Sequence, residues 1–169
     1  MLRVLRLATV AICFSVCILP MASADNIKVD YSHQVDFSQF HTYSWGRMQV
    51  PDSLIAARIQ RRVNLALQQA GWREVPRGGQ VIIMVQDGIH TEQEQETFYE
   101  GMRMGVSTTS EYDYRVAHLV IAIFNTKSRN LLWRGVSRGE LTDNPSANRR
   151  RLFEDIDKMF KGFPPKPRN

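Results

Sequence analysis

Past residue 25 the chain opens with alternating apolar and polar positions. Ile27, Val29 and Tyr31 are separated by Lys28 and Asp30, and Tyr43 and Trp45 alternate with Thr42 and Ser44. A period of two with aromatic and β-branched residues predicts two short strands, the second ended by Gly46. The period then changes. Ile55, Ile59, Val63, Ala66, Leu67 and Ala70 recur at helical spacing, and Arg58, Arg61 and Gln68 fall elsewhere around the helix. Pro51-Asp52-Ser53 supplies capping chemistry at its start. Gly71 stands where a left-handed C-terminal cap belongs, with Trp72 placed to fold back over the last turn.

The second half reads in the same way. Arg77-Gly78-Gly79 is a turn, and the apolar run Val81-Ile82-Ile83-Met84-Val85 is too short for a helix and reads as an interior strand. From about residue 91 to 111 the chain is polar, with Glu92, Glu94 and Glu96, then Gly101 and Gly105, then Ser107 to Ser110. A long loop is expected there. Val116 to Phe124 is a strand, Asn125 to Asn130 a hairpin turn, and Leu131 to Leu141 the partner strand. Asp143-Asn144-Pro145 opens a second helix with proline at its first position. Its apolar stripe is Leu152, Phe153, Ile156, Met159 and Phe160, and Gly162 and Pro164-Pro165 end it. The order β-β-α-β-β-β-α, with hairpins where strands adjoin, predicts an α+β two-layer sandwich. Two helices cover one face of a mostly antiparallel sheet. No internal repeat or low-complexity linker interrupts the chain, so residues 25–169 read as one domain.

The first 24 residues are of a different kind. Arg3 and Arg6 precede the uncharged apolar stretch Leu7 to Leu19, Pro20 breaks it, and Ala22-Ser23-Ala24 offers small residues to a signal peptidase. Those regions in that order predict a secretory signal peptide cleaved between Ala24 and Asp25, and a periplasmic location. Cys13 and Cys17 both lie inside it, preceded by Ile12 and Val16 rather than by the small residue a lipidation signal wants. Soluble export is the expectation and a lipid-anchored envelope protein the lesser alternative. No uninterrupted apolar run reaches the roughly 20 residues of a membrane-spanning helix.

Cleavage there leaves a chain without cysteine, which excludes disulfides, thiolate catalysis and cysteine-ligated metals. Lys plus Arg total 22 against 17 Asp plus Glu, and two of the arginines fall in the leader. The remaining surplus is too small to argue for nucleic acid.

Three stretches bear on family. Asp36-Phe37-Ser38-Gln39-Phe40-His41-Thr42-Tyr43-Ser44-Trp45 resembles the opening motif of the domain-of-unknown-function 4136 family, an Asp-Phe, a short spacer and Thr-Tyr-x-Trp. Leu132-Trp133-Arg134-Gly135 followed by Asp143-Asn144-Pro145 is similar to its closing strand and helix start. Met159-Phe160-Lys161-Gly162-Phe163-Pro164-Pro165 resembles its closing helix. The resemblance implies an exported bacterial envelope protein with a lipoprotein-like domain, and no defined activity. Phe37, Tyr43, Trp45 and Trp133 are large enough that core packing accounts for them, and Gly135 within a strand fits a close aromatic neighbour or a bulge.

The chemistry on offer is thin. Gly135-Val136-Ser137-Arg138-Gly139 matches G-x-S-x-G, but it lies inside a predicted strand and all four histidines (His33, His41, His90 and His118) precede Ser137. A nucleophile elbow needs a strand, a sharp turn and an immediate helix, with the histidine downstream, so the match reads as accidental. His90 followed alternately by Glu92, Glu94 and Glu96 would share one face of an extended strand and form an oxygen- and imidazole-rich set for a divalent metal. Met102 and Met104 are a weak thioether pair. Arg149-Arg150-Arg151 places three cations at a helix start, against the dipole, and an anionic headgroup or acidic partner would rationalise them.

The strand Val116 to Phe124 is apolar on both faces. Leu119, Ile121 and Ile123 point one way, and Val120, Ala122 and Phe124 the other, beside His118. Two helices cover only one face of such a sheet. His118, Val120, Ala122 and Phe124 are therefore the candidate interaction face, to be covered by the long loop, a second copy or a partner. The expectation is a non-enzymatic envelope domain with no catalytic, cofactor or metal residues. It would bind an envelope protein, itself or a lipid-like ligand. The alternative is a small metal-dependent or hydrolytic enzyme using the His90 segment and the loop.

Overall fold

The computed structural model describes the backbone of residues 26–99 and 107–166 and the side chains of residues 27–91 and 115–166. The leader, its cleavage point at Ala24 and Asp25, and the Met102/Met104 pair lie outside the described residues. Strands β1 (Asn26–Tyr31), β2 (Thr42–Gln49), β3 (Arg73–Glu74), β4 (Val81–Tyr99), β5 (Ser107–Asn125) and β6 (Leu131–Glu140) are joined by helices α1 (Ser53–Gln69) and α2 (Pro145–Met159). The strands form one sheet in the order β1-β6-β5-β4-β2-β3. β4, β5, β6 and β1 pair antiparallel, and β2 runs parallel to both β4 and β3. The α+β two-layer architecture is as expected from the periodicity.

Helix α1 forms where the period changes. Asp52 caps it, its Oδ1 accepting from the N–H groups of Leu54 and Ile55 at 2.7 and 3.1 Å, which satisfies two of the orphan donors of the first turn. At the other end the Trp72 N–H reaches the Leu67 carbonyl and the Gly71 N–H the Gln68 carbonyl. That is the Schellman pattern, with Gly71 at φ +83°. Asn144 caps α2 by the same two contacts, to Ser146 and Ala147, with Pro145 at the first helical position.

Both helices lie on the same side of the sheet. Ile59, Val63 and Leu67 of α1 and Ile156 and Met159 of α2 are buried against Tyr43, Val81, Ile83, Val85, Leu119, Ile121, Ile123 and Trp133. An aromatic cluster closes one end of this layer: Trp133 and Phe160 have ring centroids 4.8 Å apart, and Phe163 meets Trp72 edge-on at 5.1 Å. The residues that carry the family resemblance sit here. Phe37, Tyr43 and Trp133 are fully buried. A Cβ at Gly135 would lie 2.7 Å from Cη2 of Trp133 and 2.9 Å from Sδ of Met159, so the close approach of the aromatic requires glycine.

The structure corrects the sequence reading in four places. The stretch expected as a long loop over 91–111 is largely strand: the β4–β5 ladder continues without a register break from Val81↔Asn125 to Tyr99↔Ser107. Backbone hydrogen bonds hold these positions, and they need no apolar periodicity. The strand does not end at Gly46 but runs to Gln49 through an irregularity between Trp45 and Met48. A Cβ at Gly46 would come within 2.5 Å of Cγ2 of Ile82. The two N-terminal strands form no hairpin, because β1 lies on one edge beside β6 and β2 sits near the other. A two-residue strand, β3, also pairs with β2.

Candidate functional site

Alternation along β4, β5 and β6 sends one set of side chains to the helices and the other to the opposite face. Register places Met84, Ala122 and Arg134 in one row on that second face, Val120 beside Val136 in the next, and His118 beside Arg138 beyond it. Ile82 and Phe124 pair in a further row. Of the four residues expected to form the interaction face, Ala122 is shielded by its larger neighbours, and His118, Val120 and Phe124 are half-buried. Met84 is 38 % exposed. Along β4–β5–β6, no described element packs on this face. Lys28, Asp30, Arg134 and Arg138 rim it on the β1–β6 side, with Arg134 3.7 Å from Asp30.

The segment that is one of the three candidate covers for this face is largely paired in β4 and β5 and prolongs the sheet. Beyond the last pairing with β6, β4 and β5 continue as a two-stranded ribbon from Thr91↔Arg115 to Tyr99↔Ser107. At about 3.3 Å per residue this projects roughly 30 Å. His90, the metal ligand of the alternative reading, meets His118 edge-on with ring centroids 5.3 Å apart. The side chains of Glu92, Glu94 and Glu96 lie outside the described residues. Among the described residues no group of three His, Cys, Asp or Glu is arranged for a metal ion.

The G-x-S-x-G serine lies mid-strand in β6, opposite Leu119, and is buried. Its hydroxyl donates to Oδ2 of Asp155 on α2 at 2.5 Å. The pair ties β6 to α2 where buried polar groups need partners. It also forms one wall of a cleft of about 340 Å³ between the N-terminal ends of the two helices and the sheet, lined among others by Ile55, Arg58, Asp87 and Leu119. Burial pushes the Asp87 carboxyl above its ordinary range, opposed in part by the N–H of Gly88. No histidine is among the described residues lining the cleft, so Ser137 has a carboxylate partner and no imidazole base beside it.

Sequence reasoning missed this cleft and the outer surface of the helix layer. The signal available was the Arg149–Arg151 run: Arg149 and Arg151 line the cleft, and Arg150 is exposed. Arg151 lies across Gly139, where an added Cβ would stand 2.9 Å from its guanidinium carbon. His33 is exposed in a turn, and His41 is exposed just before β2.

The fold defines a class, a two-layer α+β sandwich on a six-stranded mixed sheet. The chain belongs to the family described as Domain of unknown function (DUF4136), whose model matches residues 27–165. None of the curated proteins matches it. Among solved structures it is similar in fold to a PDZ domain protein from Parabacteroides distasonis, with 14 % identity and a TM-score of 0.58 over 83 % of this chain and 35 % of that one. The chain thus spans about a third of that protein's length. A PelC dodecamer from Paraburkholderia phytofirmans shares 7 % identity over 80 % of this chain and 96 % of its own, with a TM-score of 0.48.

Proposed function

We propose that the protein is an exported, non-enzymatic domain of the bacterial cell envelope that associates with further copies of itself through the sheet face opposite its helices. The observation that carries this reading is the patch of Ile82, Met84, Val120, Ala122, Phe124 and Val136, on which no described element packs along β4–β5–β6. A contiguous apolar patch rimmed by polar residues is a common form of protein interaction site.

Charge favours a second copy as the occupant. Residues 91–115 hold six carboxylates against two arginines, and the rest of the chain past the leader is correspondingly basic. The patch itself is rimmed by Lys28, Arg134 and Arg138 against the carboxylate of Asp30, which sits beside Arg134. An acidic ribbon laid across the basic-rimmed face of the next copy joins opposite charges. It also supports a two-stranded ribbon that on its own is marginal in water. Such a contact uses different surfaces on the two copies and closes into a ring or propagates.

Light scattering on the purified protein tests this. Association that rises with concentration and weakens with salt is expected. Val120→Glu should abolish it with the circular dichroism spectrum and thermal transition retained, and Glu92→Gln/Glu94→Gln/Glu96→Gln should weaken it. A strictly monomeric wild type overturns the reading. So does a Val120→Glu chain that fails to fold, because the face is then core.

A further inference from the structure

The outer surface of the helix layer has a composition that packing does not explain. Across the seventeen residues of α1 there are three arginines, Arg58, Arg61 and Arg62, and no acidic side chain. Ile59, Val63 and Leu67 satisfy the core, yet Leu54 is 65 % exposed and Leu65 44 %. Eleven residues separate these leucines, which is about three turns, so they stand on one line along the helix. Arg61 falls between them on the same outward face, and Arg58 stands beside it at the rim of the cleft. α2 adds Arg149, Arg150 and Lys158, with Lys161 just past its end, against Glu154 and Asp157 as outward carboxylates. Asp157 is already engaged, accepting two hydrogen bonds from the Arg62 guanidinium. Arg58, Arg61 and Arg150 make no ion pair among the described residues.

We infer that this surface docks on an anionic lipid bilayer, with Leu54 and Leu65 entering the headgroup region and the arginines beside them pairing with lipid phosphates. A helix face on which leucines stand among unpaired cations has the pattern of interfacial membrane binding. An acidic protein surface would satisfy the arginines but gives no use to leucines exposed between them. Guanidinium groups bind phosphate oxygens through two parallel hydrogen bonds, and each cation near an anionic leaflet adds to the attraction. The same partner rationalises Arg149–Arg151 at the start of α2, where cations oppose the helix dipole. The helix layer lies on the opposite side of the sheet from the self-association face, so the two readings fail separately.

The test is co-sedimentation of the purified protein, its N-terminus read by mass spectrometry, with vesicles of equimolar phosphatidylglycerol and phosphatidylcholine or of phosphatidylcholine alone. Binding to the anionic vesicles, and its decline as salt rises from about 0.05 to 0.5 M, is the expected result. Arg58→Glu/Arg61→Glu should weaken it by about tenfold or more. Leu54→Ser/Leu65→Ser should weaken it several-fold and leave a remainder that salt removes more readily. Leu54, Arg61 and Leu65 are exposed and Arg58 lies at the rim of the cleft, and unchanged thermal transitions show that the variants fold. Equal binding to neutral vesicles, no binding, or indifference to the Arg58/Arg61 reversal overturns the inference. Retention on immobilised polyaspartate without vesicle binding also overturns it, in favour of an acidic protein.

Discussion

The two faces of the sheet are built from the same strands, and β4 and β5 carry apolar residues on both, yet the faces differ in burial. Toward the helices, Val81, Ile83, Ile121, Ile123 and Trp133 are essentially inaccessible to water. One residue along in each strand, Ile82, Val120 and Phe124 remain half-exposed, and Met84 more so. In the apolar parts of β4 and β5, hydrophobicity does not choose between the faces. The connections do, because α1 bridges the parallel strands β2 and β4 and α2 folds back after β6 onto the same side. A face becomes core when the chain has an element to lay over it. The other face keeps its apolar residues, and no described element covers it along β4–β5–β6.

Stability should therefore depend on the helix face. Trp133→Ala removes a side chain that contacts Phe160 and Phe163 and leaves a cavity next to Gly135. A loss of about 3–5 kcal/mol is expected in urea denaturation. A loss under about 1 kcal/mol would mean that the two faces are not energetically distinct.

A smaller effect on the same face appears only in alkali. Tyr43 is fully buried, and burial, with the Glu74 charge adding to it, pushes its phenol from 10.0 up to about 12. The unfolded chain releases this proton first as pH rises. The contribution is intact below pH 10, declines between pH 10 and about 12, and is lost above that. By linkage the decline is roughly 2–3 kcal/mol. Tyr43→Phe forfeits the hydrogen bond that Tyr43 Oη donates to Asn64 Oδ1 at 2.9 Å, about 1 kcal/mol at neutral pH, and should flatten the alkaline decline. An unchanged slope in the variant would assign the decline to other groups.

Much of this arrangement is legible in the sequence, and the exceptions share a cause. The helix limits follow from Asp52, Gly71 and Pro145, because caps and turns are local. The inward set on β5 follows from alternation. The strand order does not, since β1 pairs with β6 across more than a hundred residues and no local pattern encodes that choice. The paired stretches over 91–99 and 107–111 read as loop because Glu92, Glu94 and Glu96 alternate with other polar residues. Their ladder is held by the backbone, which leaves no hydrophobic signature. His118, Val120, Ala122 and Phe124 are legible as a face because period two is strict. The Leu54/Leu65 line is not, because a helical stripe calls attention to its buried side and those two leucines lie off it.

The narrowest contrast between the faces lies in adjacent residues. Val120 and Ile121 are neighbours on β5, and each can be replaced by threonine, a good strand former. On the open face the new hydroxyl of Val120→Thr reaches water, so no buried polar group is created and the change should stay within about 1 kcal/mol. On the helix face, Ile121→Thr removes apolar volume from a fully buried site and adds a hydroxyl. In that site Ile121 pairs with Val85 and Gly135 and is flanked along the strand by Leu119 and Ile123, and an unpaired hydroxyl there costs about 1–3 kcal/mol more. The measurement is the difference between the two denaturation midpoints at constant slope, made at a protein concentration where association is absent. A clear gap makes the open face a surface. Equal losses would show that Val120 is as enclosed as its neighbour, and would remove the patch on which self-association rests.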